Sequence, residues 1–174
     1  MILWHLGMTV LIVRYVFRDP RMDLRWVLAG SILPDLIDKP FGSILFNETF
    51  RTHRLWAHSL LFPVVGLTIV MVATRRGGDH RKQWIGLVIG LFVHLLLDGV
   101  WLSPEAFLWP LFGLDFPKVA GSDFPALLRG MLSSPLVWLG EAVGAGYLVL
   151  LWRRHLAGAG GIRGFIEDGR IALS

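Results

Sequence analysis

Histidine and aspartate recur in this chain inside stretches that otherwise carry almost only apolar side chains. His94 and Asp98 stand four residues apart in one such run, a spacing that places two side chains on one helix face, a turn apart. A pair like that holds one metal ion, or lets the carboxylate bridge two. Asp35 and Asp38, in Pro34-Asp35-Leu36-Ile37-Asp38, share a face if the stretch is helical. Alternatively, Pro34 breaks the helix there and turns backbone and carboxylate into a site together. His53 and His58 bracket the start of another apolar run at a spacing that fits one helical face poorly, so at least one is expected ahead of the first turn. His5 and Glu141 complete the set. Ionisable groups within membrane segments are costly, which makes each a functional hypothesis. The chain has no Cys, which excludes disulfides, thiolate zinc sites and cysteine nucleophiles. Imidazole and carboxylate ligands without thiolate suit zinc or manganese.

Each residue also has a plainer use. His5 suits an interfacial position and His53 a loop. Asp35 or Asp38 suits a cap or an ion pair with Arg51 or Arg54, and Glu141 a pair with Arg129. His94 and Asp98 suit a structural hydrogen bond. Taken together these uses fit poorly, because helix packing alone gives no reason to gather His and Asp at one level.

The elements that must position these residues are read from the apolar pattern. Of 174 residues, 54 % are hydrophobic and 17 % charged, with a mean hydropathy of +0.59. Soluble domains carry about 25 % charge, so much of this surface faces something other than water. Apolar segments run over 1–17, 24–37, 55–73, 84–102 and 135–152. A membrane-spanning helix needs roughly 20 apolar residues, which the third and fourth segments meet and the first and fifth approach. The second is short and carries Gly30 and Pro34, so a broken or half-buried helix is expected there.

Arg14, Arg18, Arg21 and Arg25 flank the first link, Arg75, Arg76, Arg81 and Lys82 fill the third, and Arg153 and Arg154 follow the fifth segment. Between segments four and five the basic residues are Lys118 and Arg129. The positive-inside bias then puts the N-terminus outside and the C-terminus in the cytoplasm. Trp4, Trp56, Trp101 and Trp138 fall at outer ends under this topology, and Trp26, Trp84 and Trp152 at inner ends, as interfacial belts require. The formal charge of +4 is accordingly a topology signal, and no nucleic-acid partner is expected. No basic region precedes the first apolar run, so a retained first helix is expected in place of a cleaved signal. The link over 103–134, with four prolines among Phe and Leu, reads as an irregular interfacial cap. The expectation is an all-α, polytopic bundle of about five segments. Residues 1–152 form one membrane-embedded domain, and 153–174 a mobile, Gly-rich cytoplasmic tail.

These motifs resemble a known family. His5, then Leu33-Pro34-Asp35 with Asp38 and Pro40, resembles the start of the YdjM-like family of inner-membrane, metal-dependent hydrolases. His53-Arg54 through His58-Ser59-Leu60-Leu61 is similar to its HRxxTHSLL motif, Gly90 to Asp98 to its GxxxHxxxD helix, and Leu108-Trp109-Pro110 to its LLWP motif. The resemblance covers roughly residues 5 to 110, in order. It departs in two places: Lys39 replaces a His in a PDIDHP motif that is one residue longer here, and Ala57 replaces Thr.

The order of ligands is also similar to that of zinc-dependent phospholipase C and P1-type nucleases. That likeness implies a principal metal on Asp35, His53 or His58, His94 and Asp98, with His5 joining Asp98 at a second. Glu141 is an additional ligand candidate outside any motif.

The resulting expectation is a bacterial or archaeal inner-membrane hydrolase with two or three divalent ions, zinc before manganese. It acts on a phosphoester of a lipid or lipid-linked substrate at the outer face. Asp35 and Asp98 carry the catalysis with the metals, and Arg54 clamps phosphate bidentately. An ion or proton transporter is the rival, opposed by inner helix halves that carry no matching polar groups. A metalloprotease, suggested by Leu97-Asp98-Gly99, lacks a His-Glu-x-x-His. A non-catalytic regulator with a closed, structural metal site is the remaining alternative.

Overall fold

The computed structural model describes residues 1–19, 22–158 and 161–171, with Asp79 described in its backbone alone. Arg21, counted above in the first basic link, lies outside the described residues. Helices α1 (Ile2–Val16), α2 (Leu24–Lys39), α3 (Asn47–Phe50), α4 (Leu61–Ala73), α5 (Asp79–Leu97), α6 (Pro104–Phe107), α7 (Phe124–Ser133), α8 (Pro135–Leu151) and α9 (Gly161–Asp168) follow in order, with no strand among the described residues. The local causes are ordinary. The Asp23 carboxylate accepts from the Arg25 N–H at the start of α2, and the Asp123 carboxylate from the Ala126 N–H at the start of α7. Proline opens α6, α7 and α8 in their first turns. Gly99, at a φ of 63°, ends the α5 run.

The central contact is between α2 and α5. A Cβ on Gly30 would run into the Leu87 carbonyl, and one on Gly90 into the Val27 carbonyl. Only glycine lets these backbones approach so closely, the arrangement by which helices associate without a hydrophobic driving force. The α1–α8 pair repeats it, with Gly7 against Gly144. One apolar cluster joins Val10, Val13, Leu24, Val27, Leu151 and Ile171, at the end of the bundle where α1 and α8 finish. A second, of Leu95, Val100 and Ala106 with Phe107 against it, lies at the other end. The outward faces are apolar too: Val72 is 83 % exposed and Leu136 77 %, with Ile69, Leu139 and Leu150 beside them. Such a surface marks contact with lipid or protein. Among the described residues one helix, Pro135–Leu156 at 22 residues, is long and apolar enough to cross a membrane; Ile2–Val16 and Leu61–Ala73 are apolar but shorter.

Three local expectations are revised. α2 is not broken at Pro34: it continues to Lys39 and passes into a π-helical turn, Pro40–Leu45. The third segment begins as a 3₁₀ turn, Trp56–His58, and its α-helix only at Leu61; His53 and His58 both precede α4, in keeping with the expectation that at least one would. The tail after His155 is not a loose end. The Leu24 N–H donates to the Gly169 carbonyl at 2.9 Å, Arg25 donates to the Ile166 and Glu167 carbonyls, and Ile171 is buried. These bonds satisfy carbonyls at the end of α9 that would otherwise lack donors.

Candidate metal centre

The glycine crossing sets the site. Gly90 lies one turn before His94, and Ser31, next to Gly30, lies one turn before Asp35, so the crossing delivers all of them to one place. His94 is fully buried, and its Nδ1 stands 2.7 Å from the Ser31 carbonyl oxygen. His58, also buried, has its Nδ1 2.7 Å from Asp38 Oδ2. A carbonyl and a carboxylate only accept, so each Nδ1 carries the hydrogen and donates it. The two Nε2 atoms face each other 3.3 Å apart, and in the neutral form of each ring that atom carries the lone pair. Asp35 Oδ1 lies 3.4 Å from His58 Nε2 and 3.8 Å from His94 Nε2. Three electron-pair donors meet here, within 4.8 Å of one another. Zinc–nitrogen bonds of about 2.0–2.1 Å imply tetrahedral edges of about 3.3 Å, close to these spacings. The donor set thus fits a divalent cation. Imidazoles fixed through Nδ1 by a carboxylate or a carbonyl are the usual outer support of such ligands.

Asp38 stands behind His58, on the far side of the ring from Asp35. It is wholly buried, and its oxygens accept the backbone N–H groups of Leu55, Ala57 and His58 at 2.7, 3.2 and 3.1 Å. Those bonds build the 3₁₀ turn that presents the imidazole. Lys39 pairs with Asp35 Oδ2, which leaves Oδ1 for the histidines. Asp98, capping the end of α5, is held by Arg54: Nη2 reaches Oδ2 at 2.7 Å and the Asp98 carbonyl at 2.9 Å. Its Oδ2 is 4.0 Å from His58 Nε2, beside the triad. His5 stacks on His94 with ring centroids 4.3 Å apart. Its Nδ1 bonds the Met1 carbonyl, and its Nε2 is buried without a partner. His53 Nδ1 and Arg54 Nε are likewise buried and unpartnered. Burial, with the Arg54 charge adding to it, pulls His53 down to about 4, so that ring is neutral at neutral pH.

Glu141 stands apart from the triad's contacts. Its Oε2 accepts the Leu3 N–H at 2.9 Å, tying α8 to the first turn of α1, and its Oε1 is buried without a partner. The alternative pairings also resolve: Asp35 takes Lys39, Asp98 takes Arg54, and Glu141 takes a backbone N–H. Sequence reasoning missed the Ser31 carbonyl, the backbone role of Asp38 and the Lys39 pair. Of these only the last had a signal, the four-residue spacing of Asp35 and Lys39.

Over the site's end of the bundle the link after α5 is fastened down. The Leu60 N–H donates to the Phe107 carbonyl, the Val119 N–H to that of Arg51, and the Ser122 hydroxyl to Asn47 Oδ1. Trp109 stacks on Phe116, which meets Trp56 and Phe50 edge-on.

A family described as YdjM inner membrane protein matches residues 1–157. No curated protein and no solved structure matches the chain.

Proposed function

Because the chain belongs to the YdjM inner membrane protein family, we propose that it is a membrane-embedded, metal-dependent hydrolase acting on a phosphoester of a lipid or lipid-linked substrate. The observation that carries this reading is the meeting of His58 Nε2, His94 Nε2 and Asp35 Oδ1, with both imidazoles held from behind through Nδ1. In this reading those three atoms hold the first ion, and His5 and Asp98 stand ready for a second. A bound divalent ion supplies a Lewis acid and lowers the pKa of a coordinated water.

The chain's own residues do the rest. Asp38 and the Ser31 carbonyl hold the imidazoles in one tautomer. Lys39 keeps Asp35 from rotating. Arg54 offers a buried, unpartnered Nε to an incoming phosphoryl oxygen while its Nη2 stays on Asp98. The aromatic group of Trp109, Phe116, Trp56 and Phe50 gives an acyl or prenyl chain an apolar bed. Five segments crossing the bilayer, with this end outward, agree with the basic links and with the apolar outer faces.

The test is metal analysis of detergent-purified protein, followed by a screen of phosphate-containing lipids. Wild type should carry a transition metal, most readily zinc, and hydrolyse a member of the panel. His94→Ala should lose metal and activity, and His80→Ala, at the opposite end of α5, should keep both. Arg54→Ala should keep metal and lose turnover by about 2–4 kcal/mol. Bound metal without cleavage of any phosphoester would sink the hydrolase and leave a membrane regulator with a structural metal.

A further inference from the structure

On the outer surface of the bundle, α4 and α5 part around a groove of about 260 Å³ whose lining is apolar throughout. Buried Val88 and Val93 of α5 form its floor, and the exposed side chains of Val64, Leu67 and Phe92 its rim. Along α5 the lining runs from Ile85 to Val93, about 12 Å of helix at 1.5 Å per residue. That is close to the hydrocarbon depth of one leaflet, about 15 Å. Arg81, one turn before Ile85, stands across the end of the groove. Its Nη1 donates to the Thr74 carbonyl at 3.2 Å, and its Nη2 to Sδ of Met71 at 2.7 Å, one turn past Leu67.

The plain use of Arg81 is to cap α4, whose last carbonyls lack donors. That use leaves its charge unmet. Both partners are neutral, and the half charge at the end of α4 faces the opposite half charge at the start of α5, a few residues on. Arg75, Arg76 and Arg81 share this link with one carboxylate, that of Asp79. Arg18 and Asp19, which follow the lining residue Phe17, add one charge of each sign. Lys82 is left out of the count, because it lines a separate charged cleft with Glu167 and Asp168. Even with Asp79 paired to one arginine, positive charge is in excess at this end of the groove. Two of the five guanidinium N–H groups of Arg81 are engaged, which leaves others for an anion.

An occupant must therefore be apolar along its length and anionic at one end. A helix of a partner protein is too large. With side chains it is about 10–12 Å wide, so over this length it takes up roughly 1,000 Å³. We infer that the groove holds one acyl chain of an anionic phospholipid of the cytoplasmic leaflet, with the lipid phosphate on Arg81. The inference rests on the membrane placement proposed above and not on any hydrolysis. Under that placement the link over 75–82 faces the negatively charged leaflet.

Native mass spectrometry of the full-length protein in detergent counts bound lipids as short-chain phosphatidylglycerol is added, with short-chain phosphatidylcholine and inorganic phosphate as the other ligands. One tightly bound phosphatidylglycerol per chain is expected. Arg81→Gln should weaken it about fivefold, at about 1 kcal/mol per basic residue. Leu67→Trp, which fills the groove, should weaken it at least as much. Arg153→Gln removes a charge at the same end of the chain but away from the groove, and should leave binding as it is. A thermal midpoint near that of wild type establishes that each variant is folded. Binding unchanged by Arg81→Gln, or weakened equally by Arg153→Gln, would overturn the phosphate contact. Undiminished binding to Leu67→Trp would overturn the groove. Phosphatidylcholine binding as tightly, or inorganic phosphate displacing the lipid completely, would overturn the inference on wild type alone, whatever the variants do. A chain that stays in solution without detergent would remove the membrane placement, and the site with it.

Discussion

At the residue scale, the informative distinction is between groups that meet at the bare nitrogens and groups that aim them. Asp38 contacts the hydrogen-bearing face of His58 and three backbone N–H groups, so its work is alignment. Asp38→Asn should weaken metal affinity by about 10- to 100-fold, the usual cost of losing an outer-shell partner, without abolishing binding; calorimetric metal titration measures it. Complete loss would make Asp38 a ligand. Glu141 gives the opposite test. Its bond to the Leu3 N–H needs only an acceptor oxygen, which Gln retains, so Glu141→Gln should leave metal content unchanged. The residue types were legible in the sequence, since His and Asp are conspicuous among Leu and Val. Their division of labour was not. It depends on which imidazole nitrogen meets which oxygen, and backbone carbonyls such as that of Ser31 leave no mark in a side-chain pattern.

At the scale of elements, the α2–α5 crossing determines how far apart His94 and Asp35 lie. Gly90→Val would drive side-chain carbons into the Val27 carbonyl and force the helices apart. Overpacking of this kind costs about 1–3 kcal/mol, and the separation should lower the thermal midpoint and the metal content together. A lower midpoint with metal retained would mean that the ligands do not depend on the crossing. The apolar runs placed α1, α2 and α8 within two residues of where they lie, whereas α4 starts six residues later than its run and α5 lies five residues earlier than its own. The stretch before α4 was misread, because Leu55, Trp56 and Ala57 are as apolar as the helix after them. What keeps them out of that helix is a carboxylate from α2, seventeen to twenty residues away in sequence. The proline in α2 misled in the other direction: a neighbouring helix supports the run through Pro34, as buried helices permit.

For the whole molecule, polar groups lie inside and Leu, Val and Ile face outward over α4 and α8. The ring pairs agree with a layered arrangement: Trp26 and Trp84 are 4.9 Å apart at one end, and Trp4 Nε1 reaches the Leu97 carbonyl at the other. If the basic links face the cytoplasm, a cysteine at exposed Ala120 should react with an impermeant thiol reagent in intact cells, and one at exposed Gly78 should not. The reverse pattern would turn the metal centre inward. Composition was enough to read an all-helical chain with an apolar exterior. The docking of α9 was beyond it, because a Gly-rich stretch gives no sign of the two carbonyls that Arg25 holds.

The union of α1 with α8, through Gly7, Gly144 and the Glu141–Leu3 bond, also imposes an order on biosynthesis. Chains emerge from the ribosome at about 5–20 residues per second, and the first helix has to wait for nearly the whole of the rest. Asp35, His58 and His94 come from α2, α5 and the turn before α4, so their meeting precedes the arrival of α8. His5 gains its helix's main packing partner last. On the proposed metal-dependent reading, loading would have two stages available to it: an ion could meet the triad while the nascent chain is still tethered, and His5 would be fixed beside it only once α8 has been made.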